Sequence, residues 1–363
     1  MSQKLLGGLV ATLAISATLA TSGAAGATGT TTRANVKPSG AVSSTGRLTA
    51  DVARTVKGAG PAAEQKALAK YWSAARMKSA HPDTQLPSVR AAAAKWAHSA
   101  TTGSRSGSLG TTRGTAGTIG PSAPKATPKQ TTAGPAARPA ASYPGYPVGH
   151  PVARTYGKVF FTSGSLNYVC SGTIVNTEGK SQVWTAGHCV SDGKAWNTNW
   201  VFVPNYSDGS APYGYWSAKQ LWTTTAWFND NNDFANDVGT AVMWRNNGNR
   251  ITDYLGAQGI AWNQPLGYMY AFGYPQAAPF NGKYLVAEQG NTYWGALTGT
   301  IYMINSMTGG SSGGAWLRNF NGQWGYINGH NDFKYTSMPN RMYSPYYGDQ
   351  VKSLYSAVRG LSS

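Results

Sequence analysis

Only two cysteines, five histidines and 13 acidic residues occur among 363 positions, and charged side chains make up 12% of the chain. Two cysteines rule out a disulfide-stapled scaffold and any four-thiolate zinc site. The histidines and acids nowhere gather into a ligand motif such as His-Glu-x-x-His, which excludes a zinc hydrolase. No metal and no cofactor is expected. Long apolar runs are also missing: after residue 20 nothing approaches the ~18 residues that a membrane span requires.

The charge that is present is unevenly placed. Residues 1–142 carry 17 Lys/Arg against Asp51, Glu64 and Asp83, and residues 143–363 carry 13 against 10, balances of +14 and +3. A nucleic-acid binder would set a basic stripe on its folded domain. The near-neutral C-terminal part has none to spare, so nucleic acid is not an expected partner.

The first 27 residues have the form of a signal peptide. Lys4 gives a positive start, Leu5 to Ala20 is apolar, and Ala25-Gly26-Ala27 supplies small residues at a cleavage spacing. The run is too short for an anchored helix. A secreted, extracellular protein is expected, with no membrane association once the signal is removed. In an oxidising compartment Cys170 and Cys189 can persist as a bridge.

Residues 28–142 hold few large apolar side chains. Pro61 can open a helix whose Leu68, Tyr71, Trp72 and Ala75 share a face, and Val89, Ala92, Ala93 and Trp96 mark a second between Ser88 and His98. Neither stripe has a core of its own, so both are expected to dock on the domain that follows. From Thr101 to Ala141 the composition of Ser, Thr, Gly, Ala and Pro predicts a flexible linker. Its Arg105, Arg113, Lys125, Lys129 and Arg138 are candidate processing sites. The simplest reading of 28–142 is a pro-segment cut away between Arg138 and Val152.

After Ser142 the composition changes. Eleven of the 13 tryptophans lie there, amid short apolar runs separated by Gly, Asn and Asp. Val159 to Phe161, Gly172 to Val175, Gln182 to Trp184, Trp200 to Val203, Thr240 to Trp244 and Tyr302 to Ile304 read as strands. The spacing predicts an all-β barrel or sandwich over 143–363, closed by a short C-terminal helix from Asp349 to Val358.

Acyl transfer needs a hydroxyl, a base, an acid that orients the base, and backbone donors for the oxyanion. One set of residues supplies these. Ser312 lies in Gly309-Gly310-Ser311-Ser312-Gly313-Gly314, where glycine lets the amides of Gly310 and Ser312 point at one oxyanion site. His188 lies in Thr185-Ala186-Gly187-His188-Cys189, and a Cys170–Cys189 bridge would hold it in place. Asp237, in Asn236-Asp237-Val238-Gly239, begins a strand and is the best carboxylate. Asp230 and Asp233, in a loop-like Asn/Asp run, read instead as solvated or cation-coordinating.

These blocks, with Cys170-Ser171-Gly172-Thr173, resemble in order those of the chymotrypsin-like serine proteases, over roughly residues 150–335. The likeness is nearest to the bacterial glutamyl-endopeptidase-like branch, which has counterparts of Gly273-Tyr274-Pro275 and of Met307 to Gly310. The resemblance implies a double β-barrel with its site in the cleft between barrels. It also implies secretion as a precursor (zymogen) and cleavage of proteins or peptides through a Ser312–His188–Asp237 triad and an acyl-enzyme, by a monomer. It favours Ser312 over the rival Ser311, because the family's serine precedes Gly-Gly. The resemblance also implies that the segment from Trp324 to Gly329 is an edge strand that pairs with substrate. There the glutamyl endopeptidases place a histidine; Asn328 stands at the matching position and His330 follows two residues later, which tells against an acidic preference. Ser306, Ile327, Asn328, Gly329 and His330 are the candidate substrate-binding residues, and Ser306 stands where a Lys/Arg-selective pocket would carry Asp.

An α/β-hydrolase also has Gly-x-Ser-x-Gly, but its histidine follows the serine, and only His330 does so here. The non-enzymatic alternative is a secreted binding module on the same fold, with a protein or carbohydrate/cell-wall ligand, suggested by the many Trp and Tyr residues.

Overall fold

A computed structural model describes residues 40–56, 60–91, 114–130, 146–147, 149–230, 233–295, 297 and 299–363. Before the composition change lie β1 (Ala41–Thr45), β2 (His81–Pro82) and β3 (Gly117–Ile119). Helices α1 (Ala50–Val56), α2 (Gly60–Tyr71) and α3 (Ala74–Ser79) fall between β1 and β2.

The first half of the remaining chain holds β4 (Tyr156–Ser163), β5 (Leu166–Val175), β6 (Gln182–Thr185), β7 (Thr198–Pro204), β8 (Trp216–Thr224) and β9 (Gly239–Met243). Its strands run β8-β7-β4-β5-β6-β9, and β9 pairs back onto β8, closing a barrel. Every residue of β6 and β9 is buried, as expected of strands enclosed on both faces.

The second half contains β10 (Gly259–Trp262), β11 (Tyr268–Gly273), β12 (Val286–Asn291), β13 (Tyr293–Trp294), β14 (Thr300–Ile304), β15 (Ala315–Arg318), β16 (Tyr326–His330) and β17 (Arg341–Pro345). They form a six-stranded sheet, β12-β11-β15-β16-β10-β3, and a three-stranded one, β13-β14-β17. The predicted strands fall within observed ones except that Trp244 lies one residue past β9, and the fold is the all-β double barrel of the chymotrypsin-like type. The C-terminal helix spans Asp349–Val358 as read, with Val351, Leu354, Tyr355 and Val358 buried at helical spacing.

The N-terminal region joins this body. β1 pairs antiparallel with β8, β2 parallel with β5, and β3 antiparallel with β10. Trp72 and Met77 bury among Phe160, Val169, Val201 and Val203. Two readings need correction. The single helix read from Pro61 through Ala75 breaks at Trp72, because the Ser73 hydroxyl accepts from the Arg76 amide at 3.3 Å and caps a new helix. The linker read over Thr101–Ala141 is interrupted at 117–119, whose amides and carbonyls complete the edge of β10. Backbone pairing there outweighs a composition poor in side chains to bury. The second helix is seen over residues 87–91; its continuation to His98, the signal peptide, and the linker residues 101–113 and 131–141 lie outside the described residues.

Candidate active site

His188 follows the end of β6, and Asp237 precedes β9, the strand that pairs with β6 in register Thr185 to Gly239. Strand pairing therefore brings the two together across 49 positions. Asp237 Oδ1 accepts from the His188 amide at 2.7 Å, and Oδ2 lies 2.8 Å from Nδ1. Asp230 and Asp233 are not among the carboxylates around His188; Asp233 accepts from the Asn236 amide group at 2.8 Å. The disulfide joins Cys170 to Cys189, with Cα atoms 6.2 Å apart, and so ties β5 to the residue after His188.

Ser312 lies between β14 and β15 in a turn that begins at Gly310, whose φ of +99° only glycine adopts without strain. Its Oγ lies 3.1 Å from the Asp332 carbonyl oxygen. The rival Ser311 turns its hydroxyl onto the Thr308 carbonyl at 2.8 Å.

A fourth residue completes the cluster, and it comes from the N-terminal region. Asp83, fully buried, follows β2 in a short 3₁₀ turn over Asp83–Gln85. Its Oδ2 accepts from Ser312 Oγ at 2.6 Å and lies 3.1 Å from His188 Nε2. Its Oδ1 accepts from the Gly310 amide. A single carboxylate thus touches the candidate nucleophile, base and oxyanion donor together. No sequence motif marks Asp83; the only signal was its rarity, as one of three acids in residues 1–142.

A further acid missed in the sequence is Asp332, buried 3.6 Å from His188 Nδ1. His188, Asp237 and Asp332 offer ligand atoms within 4.8 Å of one another. The 2.8 Å contact of Nδ1 with Asp237 uses that nitrogen for a hydrogen bond rather than for an ion. Burial alone would lower the His188 pKa. The Asp237 charge and hydrogen bond, then those of Asp83, carry it well above the ordinary imidazole value. Burial raises the Asp332 pKa far above the carboxylate range, and the neighbouring Asp237 charge adds to that.

The strand expected at a sheet edge is not at one. β16, which carries Ile327, Asn328, Gly329 and His330, lies inside the sheet between β15 and β10 rather than at an edge. Ile327 packs in the core, and Asn328 donates to the Ala261 carbonyl at 2.9 Å. A Cβ on Gly329 would come within 3.0 Å of Trp316. His330 meets the Tyr347 hydroxyl at 2.9 Å, and burial lowers its pKa to about 4, leaving a neutral structural ring. Ser306 is exposed and bonds Glu288. The residues that reach Ser312 come just after β16. A cavity of about 250 Å³ beside Ser312 is lined by Asp332, Phe333, Lys334 and Tyr335 with Thr308, Gly309 and Met342, and by Thr84 from the N-terminal region. Lys334 donates to the Asn305 and Pro339 carbonyls at 2.7 and 2.8 Å, and burial lowers its pKa to about 8.

Among solved structures, the chain is similar to the protease Anisep from Arthrobacter nicotinovorans: 40% identity, 58% of this chain and 97% of that one, TM-score 0.54. It is also similar to AL20, a thermostable serine protease from an extremophilic microorganism: 37% identity, 58% and 98% of the two chains, TM-score 0.54. No family model and no curated protein matches the chain.

Proposed function

Because the chain belongs to the chymotrypsin-like serine proteases, we propose that it is a secreted endopeptidase in which Ser312 attacks, His188 moves the proton and Asp237 orients His188. Proteolysis is the activity of its relatives; the residue roles rest on geometry. One observation carries them. A single oxygen of Asp83 reaches Ser312 Oγ at 2.6 Å and His188 Nε2 at 3.1 Å, so hydroxyl and imidazole face one point.

With a peptide in place of Asp83, the Ser312 proton passes to Nε2 as Oγ bonds the carbonyl carbon. The carbonyl π pair moves onto oxygen, which the Gly310 amide receives, with the Ser312 amide as second donor. Collapse breaks the C–N bond, the amine leaves with the His188 proton, and water repeats the sequence on the acyl-enzyme. Asp237 holds Nδ1–H throughout, which fixes the tautomer that leaves Nε2 free to accept. The side chain preceding the cut bond would enter the cavity beside Phe333, Lys334 and Tyr335. We infer that residues 28–142 are a pro-segment and that the enzyme acts as a monomer on protein or peptide substrates.

The matured protein with Ser312→Ala should lose peptidase activity by roughly a thousandfold or more, as removal of a serine nucleophile does elsewhere. Undiminished hydrolysis of a denatured protein substrate by that variant would end the proposal.

A further inference from the structure

We propose that the segment from His81 to Leu86 is an internal inhibitor of this site, locked by the Asp83 carboxylate. The proposal rests on the serine-nucleophile reading above and adds what holds that nucleophile idle. Three features support it.

The first is chemical. A hydrolysable carbonyl in the hole would carry an electrophilic carbon. Asp83 presents a carboxylate, whose carbon is shielded by a delocalised negative charge and does not accept attack by a hydroxyl. Its two oxygens take the Gly310 amide and the Ser312 proton while also facing His188. Charge-assisted bonds of this kind are about twice as strong as neutral ones. The segment therefore occupies the positions of both the oxyanion and the attacking proton without being a substrate.

The second feature is backbone shape. A protease substrate is extended across its strand, but Asp83 to Gln85 form a 3₁₀ turn. The turn presents a side chain, and not a peptide bond, to Ser312.

The third feature is that the seat is fitted. A Cβ on Gly309 would lie 2.3 Å from Thr84 Oγ1, so glycine at 309 is what admits the turn. His81 and Pro82 pair with Tyr168 and Val169 of β5, and the Ala80 carbonyl accepts from Gln276. Leu86 is fully buried in the core of the first barrel. These contacts do not depend on the covalent link through residues 92–145, so cutting that link alone leaves the lock in place.

The test uses full-length chains and the labelling rate of Ser312 by a small fluorophosphonate. Asp83→Ala should react about a hundredfold faster than wild type, ~2.7 kcal/mol of lost protection, and the isosteric Asp83→Asn at an intermediate rate. Asn keeps the volume, so it tests the lock if the Ala variant does not fold. A wild-type chain that labels as fast as either variant overturns the proposal. So do variants that remain as slow as wild type while the matured protein labels fast. Failure of the nucleophile reading looks different: every form, the matured protein included, stays unlabelled at Ser312.

Discussion

Two carboxyl groups flank His188 Nδ1, and their surroundings differ. Asp237 receives the His188 amide and ring at 2.7 and 2.8 Å. Both oxygens of Asp332 are buried without a hydrogen-bond partner, and burial, with the Asp237 charge beside it, pushes its pKa far up. An amide at 332 breaks no hydrogen bond to His188, whereas at 237 it replaces one of the two oxygens that accept from His188. In matured protein, Asp332→Asn should keep kcat/KM within about tenfold of wild type. Asp237→Asn should lose about 10⁴, the scale seen when the orienting acid of such a triad becomes an amide. Equal losses would mean that the two acids act as one unit.

Among the elements, α2 and α3 show how a segment without a core acquires one. Their apolar residues are too few to fold alone, but Trp72 is fully buried, and its indole donates to the Asn199 carbonyl at 2.8 Å. Trp72→Ala should lower the stability of the full chain by about 3–5 kcal/mol, read from the urea midpoint. A loss below ~1 kcal/mol would show that α2 and α3 do not share the barrel's cooperative unit. The helical stripe was legible in the sequence because period 3.6 survives in any context. Its break at Ser73 was not, because a serine caps a helix only where the preceding chain is turned away.

Across the whole molecule, the two halves meet around a buried lysine. Lys158 of β4, in the first barrel, donates to Gln276 and the Gly282 carbonyl of the second half at 2.6 and 2.8 Å. Burial lowers its pKa from 10.5 to about 7. Between those values the unfolded chain binds a proton that the folded chain does not, so stability rises with pH through that window. From pH 7 to 9 the gain from this group should be roughly 2 kcal/mol. Urea titrations of wild type and Lys158→Met should show a rise larger in wild type by roughly 2 kcal/mol over that range. Parallel pH curves would show that Lys158 stays charged in the fold.

Residues 188, 237 and 312, which the fold brings together, could be proposed from the sequence because the proposed chemistry requires particular neighbours: glycines that turn the backbone at 309–314, a cysteine beside a histidine, and an acid at the head of a strand. The all-β body was legible for the same reason, since short apolar runs between turn residues have few other solutions. That β16 lies inside its sheet and not at an edge was not legible, because alternation along Tyr326 to His330 marks a strand but not its neighbours. Asp83 and Asp332 carry no local pattern. Their roles arise from proximity between positions over a hundred residues apart and between neighbouring strand ends. Local chemistry thus determined which groups can react and which segments form strands. Only tertiary packing decided which carboxyl group bonds the imidazole, which residues wall the cavity, and that an aspartate from the N-terminal region meets Ser312 and His188, because burial and long-range contact exist only once the chain has folded.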